Sequence, residues 1–190
     1  MANKVKYGLK SVYYAPLTIT ETGGVYTYTY GTPKALLGAV NLSLEAQGEL
    51  TTFRADNVDY WVASSNNGYE GDFELALLSD DFKQDCLGEL KDSNDVLYEV
   101  ANATPKTFAL LFQFEGDAKA RRHVMYECTA TRPAMASQTT DTTITPVTDS
   151  ITIKAVARKD NNVVKASTPY DDNTSTTYTG WFSAVYNVTP

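Results

Sequence analysis

The sequence predicts a mainly β fold, a β-sandwich or barrel with one flanking α-helix, and three observations carry that reading. Twenty-five of the 190 residues are threonine and thirteen are tyrosine, residue types that suit a pleated, half-buried surface. Apolar and polar residues alternate with a period of two in several stretches, and Phe108–Phe114 is apolar at nearly every position. Helical periodicity is confined to two short segments. A chain of this length can bury a core without staples, so residues 1–190 are expected to form one domain, with 134–190 as its C-terminal portion.

The elements follow in order. Val40, Leu42 and Leu44 alternate with Asn41, Ser43 and Glu45, which predicts a half-buried strand that Gly48 interrupts. Phe73, Leu75 and Leu77 alternate with Asp72, Glu74 and Ala76 to give a second. Ser79 is a good N-cap, and Asp80 and Asp81 suit the positive end of a helix, so a helix is expected over about 79–90. Phe82, Cys86 and Leu90 would lie on its inner face, with Gly88 near its stop. Phe108, Leu110, Phe112 and Phe114 make a third strand, with Ala109, Leu111 and Gln113 on its other face. A turn at Glu115-Gly116-Asp117 leads to a fourth, from about Lys119 to Thr131. There Ala120, Val124, Tyr126, Cys128 and Ala130 are expected on one side, and Lys119, Arg121, His123, Glu127 and Thr129 on the other. The third and fourth are predicted to pair as an antiparallel hairpin. A further hairpin is expected over about 151–166, turning at Asp160-Asn161-Asn162. Tyr178, Trp181, Phe182, Val185 and Tyr186 fall at helical spacing, consistent with a short C-terminal helix over about 176–187.

Between the first two strands, Gly48 to Gly71 holds Phe53, Tyr60, Trp61 and Tyr69. It is either a long projecting hairpin or an ordinary strand at Val58–Ala63 within the main sheet. A long connection of this kind in a small domain is usually functional, and aromatic residues on it would be natural interface anchors.

Composition excludes several classes of function. One histidine leaves no multi-His zinc site and little room for a His-based triad, and two cysteines are too few for a disulfide scaffold. A formal charge of −7 argues against general binding to DNA phosphates. No apolar run is long enough to cross a membrane, and the N-terminus has no apolar secretory region, so synthesis in the cytoplasm with reduced Cys86 and Cys128 is expected. No phosphate loop, nucleophile elbow or cofactor motif occurs, and the chain is not expected to be an enzyme. Two other readings have some support. Glu70, Asp72 and Glu74 could act as a carboxylate-based glycosidase. Trp61 together with Tyr26, Tyr28 and Tyr30 could form a surface module that binds carbohydrate.

Several segments together resemble the major tail protein of long, non-contractile-tailed bacteriophages. They are residues 1–10 (MANKVKYGLK), 12–16 (VYYAP), 30–42 (YGTPKALLGAVNL), 68–72 (GYEGD), 108–112 (FALLF) and 128–133 (CTATRP). The similarity covers most of residues 1–133 and is weaker from Ala134 onward. It implies a tail-tube β fold whose subunits form hexameric rings that stack into a hollow tube. The implied partners are further copies of the chain, a tape-measure protein, and baseplate and tail-terminator proteins. Phage DNA would pass through without specific binding. The implied location is the virion tail, assembled in the host bacterial cytoplasm, with no membrane contact. On this reading Phe53, Tyr60, Trp61 and Tyr69 anchor one ring to the next. Asn41, Ser43, Glu45, Glu70, Asp72, Glu74, Gln113 and Glu115 face the lumen. Lys119, Arg121 and Arg122 pair with carboxylates of a neighbouring subunit.

Overall fold

The computed structural model describes residues 5–116, 120–139, 146–170 and 173–188. The elements in chain order are β1 (Leu9–Thr22), β2 (Val25–Tyr30), β3 (Lys34–Ala35), β4 (Ala39–Ala46), β5 (Leu50–Ala55), β6 (Val58–Ser64) and β7 (Tyr69–Leu75). These are followed by a helical turn, α1 (Asp80–Phe82), which runs on as a π-helix over Lys83–Leu87. Then come β8 (Leu90–Lys91), β9 (Leu97–Tyr98), β10 (Phe108–Phe114), β11 (Arg122–Ala130), β12 (Asp149–Val156), β13 (Lys165–Ser167) and α2 (Thr176–Thr179). The predicted mainly β class is what the chain adopts. The main antiparallel sheet has the order β2-β1-β10-β11-β12-β7-β4, with β3 also pairing β1 and β13 also pairing β11.

β10 sits mid-sheet because both of its faces are apolar. Phe108, Leu110 and Phe112 join Val12, Tyr14, Phe73, Leu75, Ile151 and Ile153 in the larger core. The sheet curls around this core, bringing β1 back beside β4. The π-helix closes one end with Cys86 and Leu87, and Phe82 meets Tyr14 and Phe108 edge to face at 5.0 and 5.2 Å. Each fully buried side chain of this size contributes about 1.5–3 kcal/mol. On the opposite face, Ala109 and Leu111 join Ala15, Val124 and Tyr126 beneath Trp181 and Val185 of the C-terminal segment.

That segment is tied down by polar contacts at several points. The Arg122 guanidinium lies 3.9 Å from the Tyr178 ring centre and 4.7 Å from that of Phe182, and it donates to the Tyr178 carbonyl. Tyr126 Oη donates to the Tyr186 carbonyl at 2.8 Å, and Trp181 Nε1 to the His123 carbonyl at 3.3 Å.

The structure corrects the sequence reading at several places. The β10–β11 hairpin forms, but its register slips between Phe108 and Leu110. The resulting bulge makes β11 change faces along its length. Val124 and Tyr126 serve the smaller core, and Cys128 and Ala130 the larger, together with Met125. A bulge after Ala39 likewise turns Val40 outward, so Ala39, Leu42 and Leu44 face the core. β7 ends at Leu75, which leaves Leu77 exposed and Leu78 buried.

The flanking helix is capped by Ser79 as expected, and it stops at Gly88, whose φ of 82° gives the left-handed cap. It therefore covers 80–87, and Leu90 belongs to β8. The C-terminal helix is a single turn, although Tyr178, Trp181 and Val185 are buried as its apolar stripe requires. The 151–166 hairpin does not form. β12 and β13 both pair with β11, one after the other, and residues 157–164 loop out between them. One hairpin escaped the sequence reading, the β1–β2 pair, joined by Gly23 and Gly24 at φ 61° and 84°.

Arg122→Ala removes the clamp on the C-terminal segment, and we expect it to lower the unfolding free energy by about 2 kcal/mol in urea titrations. Arg121→Ala should lower it less, because among the described residues Arg121 reaches the Thr168 carbonyl and Ser167 Oγ but stacks on no ring.

Candidate functional site

Residues 47–68 grow out of the main sheet as a continuation of the β4–β7 pair. The last pair in that ladder is Ala46 with Tyr69. Beyond it the Gln47 N–H donates to the Gly68 carbonyl at 2.9 Å, and the Asn67 N–H to the Gln47 carbonyl at 2.8 Å. The Ser65 N–H then donates to the Glu49 carbonyl at 3.0 Å. The ladder resumes at Leu50 with Ser64 and ends at Ala55 with Val58. Asp56 and Asn57, with φ of 52° and 63°, make the two-residue turn that the strand twist favours. An Arg54–Asp59 ion pair at 3.0 Å closes the tip. β5 and β6 pair only with each other, so of the two readings of this stretch the projecting hairpin is the one adopted.

Its side chains do not behave as those of a free hairpin should. Leu50, Phe53, Val58, Tyr60, Trp61 and Val62 are all exposed. Phe53 and Trp61 stand directly opposite each other, and the register slip after them makes Tyr60 the extra residue of a bulge. By register Phe53, Trp61 and Val58 stand on one face of the hairpin and Leu50 and Val62 on the other, and large apolar residues exposed together in this way mark an interaction site. Tyr69 is not part of it. It lies at the foot of the hairpin in the main sheet, half-buried, where it accepts a 2.6 Å hydrogen bond from Lys165 Nζ.

Six of the eight polar residues assigned to the lumen come together on the outer face of β4 and β7. In register, Asn41 lies beside Glu74, Ser43 beside Asp72 and Glu45 beside Glu70. β12 extends these rows with Ser150, Thr152 and Lys154. Lys154 pairs with Glu70 at 3.1 Å, and Thr152 Oγ1 donates to Asp72 Oδ1 at 3.0 Å. Four carboxylates thus share the face with one lysine. They point outward because Leu42, Leu44, Phe73, Leu75, Ile151 and Ile153 alternate with them and fill the core.

Gln113 and Glu115 are elsewhere. Gln113 is buried beside the C-terminal segment and accepts from Arg122 Nε at 3.3 Å. Glu115, in the turn after β10, pairs with Lys10 at 3.3 Å. The arginines assigned to neighbouring subunits are engaged within the chain: Arg121 donates to Thr168 and Ser167, and Arg122 to Gln113 and the Tyr178 carbonyl while stacking on the Tyr178 ring. Lys119 lies outside the described residues. His123, expected on a polar face, stacks on Phe112 at 5.3 Å.

One buried polar cluster was not foreseen. Arg158 is held by Asp160, which accepts from Nε at 2.9 Å and from Nη2 at 2.5 Å, and it faces the rings of Tyr28, Tyr30 and Tyr126. Tyr28 Oη donates to Glu127 Oε2 at 2.7 Å and accepts from the Lys159 N–H at 2.8 Å. The only sequence signal was the Arg158/Asp160 spacing in a loop without periodicity. Burial pushes Tyr28 up to about 12, where the Lys159 N–H opposes the shift and Glu127 adds to it. Burial also pushes Tyr126 up to about 12 against the pull of Arg158. The Cys128 thiol, wholly buried, is likewise raised to about 12.

No protein-family model matches the chain, and no curated protein matches it. Among the described residues no helix is long and apolar enough to cross a membrane, and no group of three or more His, Cys, Asp or Glu is placed to hold a metal ion.

The phenols give a prediction with a definite sign. Unfolded, Tyr28 and Tyr126 ionise near 10, and folded near 12. Between these values the unfolded chain binds fewer protons, so stability is intact below pH 10 and falls as pH rises toward 12. Circular dichroism and tyrosinate absorbance should report one alkaline transition in that window. Full tyrosine ionisation with unchanged secondary structure contradicts it.

Proposed function

We propose that this protein is a structural tube subunit of the phage major-tail-protein kind, whose copies close into rings, hexameric by the resemblance, that stack into a hollow tail tube. The observation that carries the reading is the hairpin of β5 and β6, which exposes six large apolar residues away from the body of the chain. A monomer gains nothing from that surface, whereas a neighbouring copy can bury it.

Sheet edges add support. β2 and β4 end the strand order, each paired on one side only. Edges of this kind invite pairing with another chain, and ring closure would remove them. Glu45, Glu70, Asp72 and Glu74 are the candidates for the lumen wall. An acidic wall repels phosphates, which lets DNA move past without sticking. On this reading the tape-measure protein occupies the bore during assembly, terminator and baseplate proteins cap the ends, and the protein resides in the virion tail.

The other readings are less supported. Tyr28 and Tyr30 are turned onto Arg158, and Tyr26 faces Lys159, so they do not form an open sugar platform. Glu70 and Asp72 are engaged by Lys154 and Thr152 on an outer sheet face.

Negative-stain microscopy of the concentrated pure protein should show rings or hollow tubes. Phe53→Ser with Trp61→Ser should keep the circular dichroism spectrum and abolish tubes, and tubes of normal length from that variant would refute the role given to the hairpin. Tubes built from Glu45→Lys with Glu74→Lys should co-sediment with duplex DNA at low salt, whereas wild-type tubes should not.

A further inference from the structure

Copies that add without limit need two different complementary surfaces, because a patch that binds only itself closes a dimer. The hairpin supplies one, and the strand register locates the other. In β4, β7 and β12 the end that carries the hairpin is marked by Ala46, Tyr69 and Ala155, and the far end by Ala39, Leu75 and Asp149, which lie side by side. Two residues beyond those three stand Leu37, Leu77 and Val147, with 82%, 72% and 43% of their surface exposed. The Ala76 N–H donates to the Gly38 carbonyl at 2.7 Å, which holds the segments of Leu37 and Leu77 next to each other. β11 also runs toward this side, with Ala130 against Ile153. A row of apolar residues therefore tips successive strands at the end opposite the hairpin.

We propose that this row, Leu37, Leu77 and Val147, is the seat for the hairpin of a second copy of the chain, so that copies join head to tail with a single polarity. The inference rests on the tube reading for the identity of the occupant. The size of the hairpin fits. At about 150–250 Å² per aromatic side chain, exposures of 59% for Phe53, 72% for Tyr60 and 56% for Trp61 leave roughly 300–450 Å² of aromatic surface. Leu50 and Val62 lie on the other face, so a neighbouring copy that takes the hairpin in as a wedge covers both faces and brings the total toward the about 800 Å² per partner of a stable interface. Contact between two hairpins would cover that surface but leave the seat in water, whereas contact between hairpin and seat covers both.

The test uses two full-length variants, both confirmed folded by circular dichroism. Leu37→Asp with Leu77→Asp spoils the seat, and Phe53→Ser with Trp61→Ser spoils the hairpin. Each alone should fail to elongate, with the concentration needed for assembly raised at least about tenfold. Mixed in equal amounts, they retain one intact hairpin and one intact seat. Analytical ultracentrifugation should then show a limited complex that neither forms alone. Tubes from the seat variant at the wild-type concentration, or no complex in the mixture, overturn the seat while leaving the tube reading in place. A limited complex in the mixture, with wild-type protein that grows only as single-file chains without rings, supports the seat and overturns the tube reading.

Discussion

β10 has large apolar side chains on both faces, and the rest of the molecule is arranged around covering them. A two-sided strand cannot sit at an edge or face water on either side. Phe108, Leu110 and Phe112 are covered because the sheet curls and the π-helix closes one end. Ala109 and Leu111 are covered because the C-terminal segment returns across β1, β10 and β11. Bulges in β1 and β11 make this double duty possible. By inserting a residue they let one strand serve the larger core along part of its length and the smaller core along the rest.

The same requirement explains why polar groups are buried where they are. The C-terminal segment contributes only one helical turn, so its apolar residues alone cannot hold it. Arg122 stacks between it and the sheet, and Tyr126 and Trp181 donate hydrogen bonds across the seam. Arg158 does similar work at the outer end of this seam, where Asn187 Oδ1 accepts from it at 3.2 Å. Arg122 and Arg158, which look like surface charge in the sequence, thus act as interior fasteners.

The parts of this fold legible in the sequence are those with strong local periodicity. β10 and its hairpin partner, the Ser79 cap, the Gly88 stop and the alternation around Asp72 are all local signals. What stayed hidden depends on register. Whether Val40 or Ala39 faces inward, and where β11 changes sides, are set by bulges that pairing partners impose. The fate of residues 157–164 is similar, since two stretches on either side of a turn usually pair with each other, and here both are claimed by β11. For the site, the hairpin was visible as an aromatic stretch between strands, but its independence from the main sheet was not. Six of the eight polar residues share a face because alternation placed them there. Gln113 was misplaced because its own strand is buried on both sides.

The bonds linking Gln47, Gly68, Asn67, Glu49 and Ser65 make the hairpin an extension of β4 and β7 rather than a tethered appendage. A pull on its tip is therefore directed along the strands. β7 lies between β4 and β12 over seven residues, so that pull loads many backbone hydrogen bonds in shear at once instead of opening them one by one. A chain built this way passes tension from the tip into the middle of its sheet.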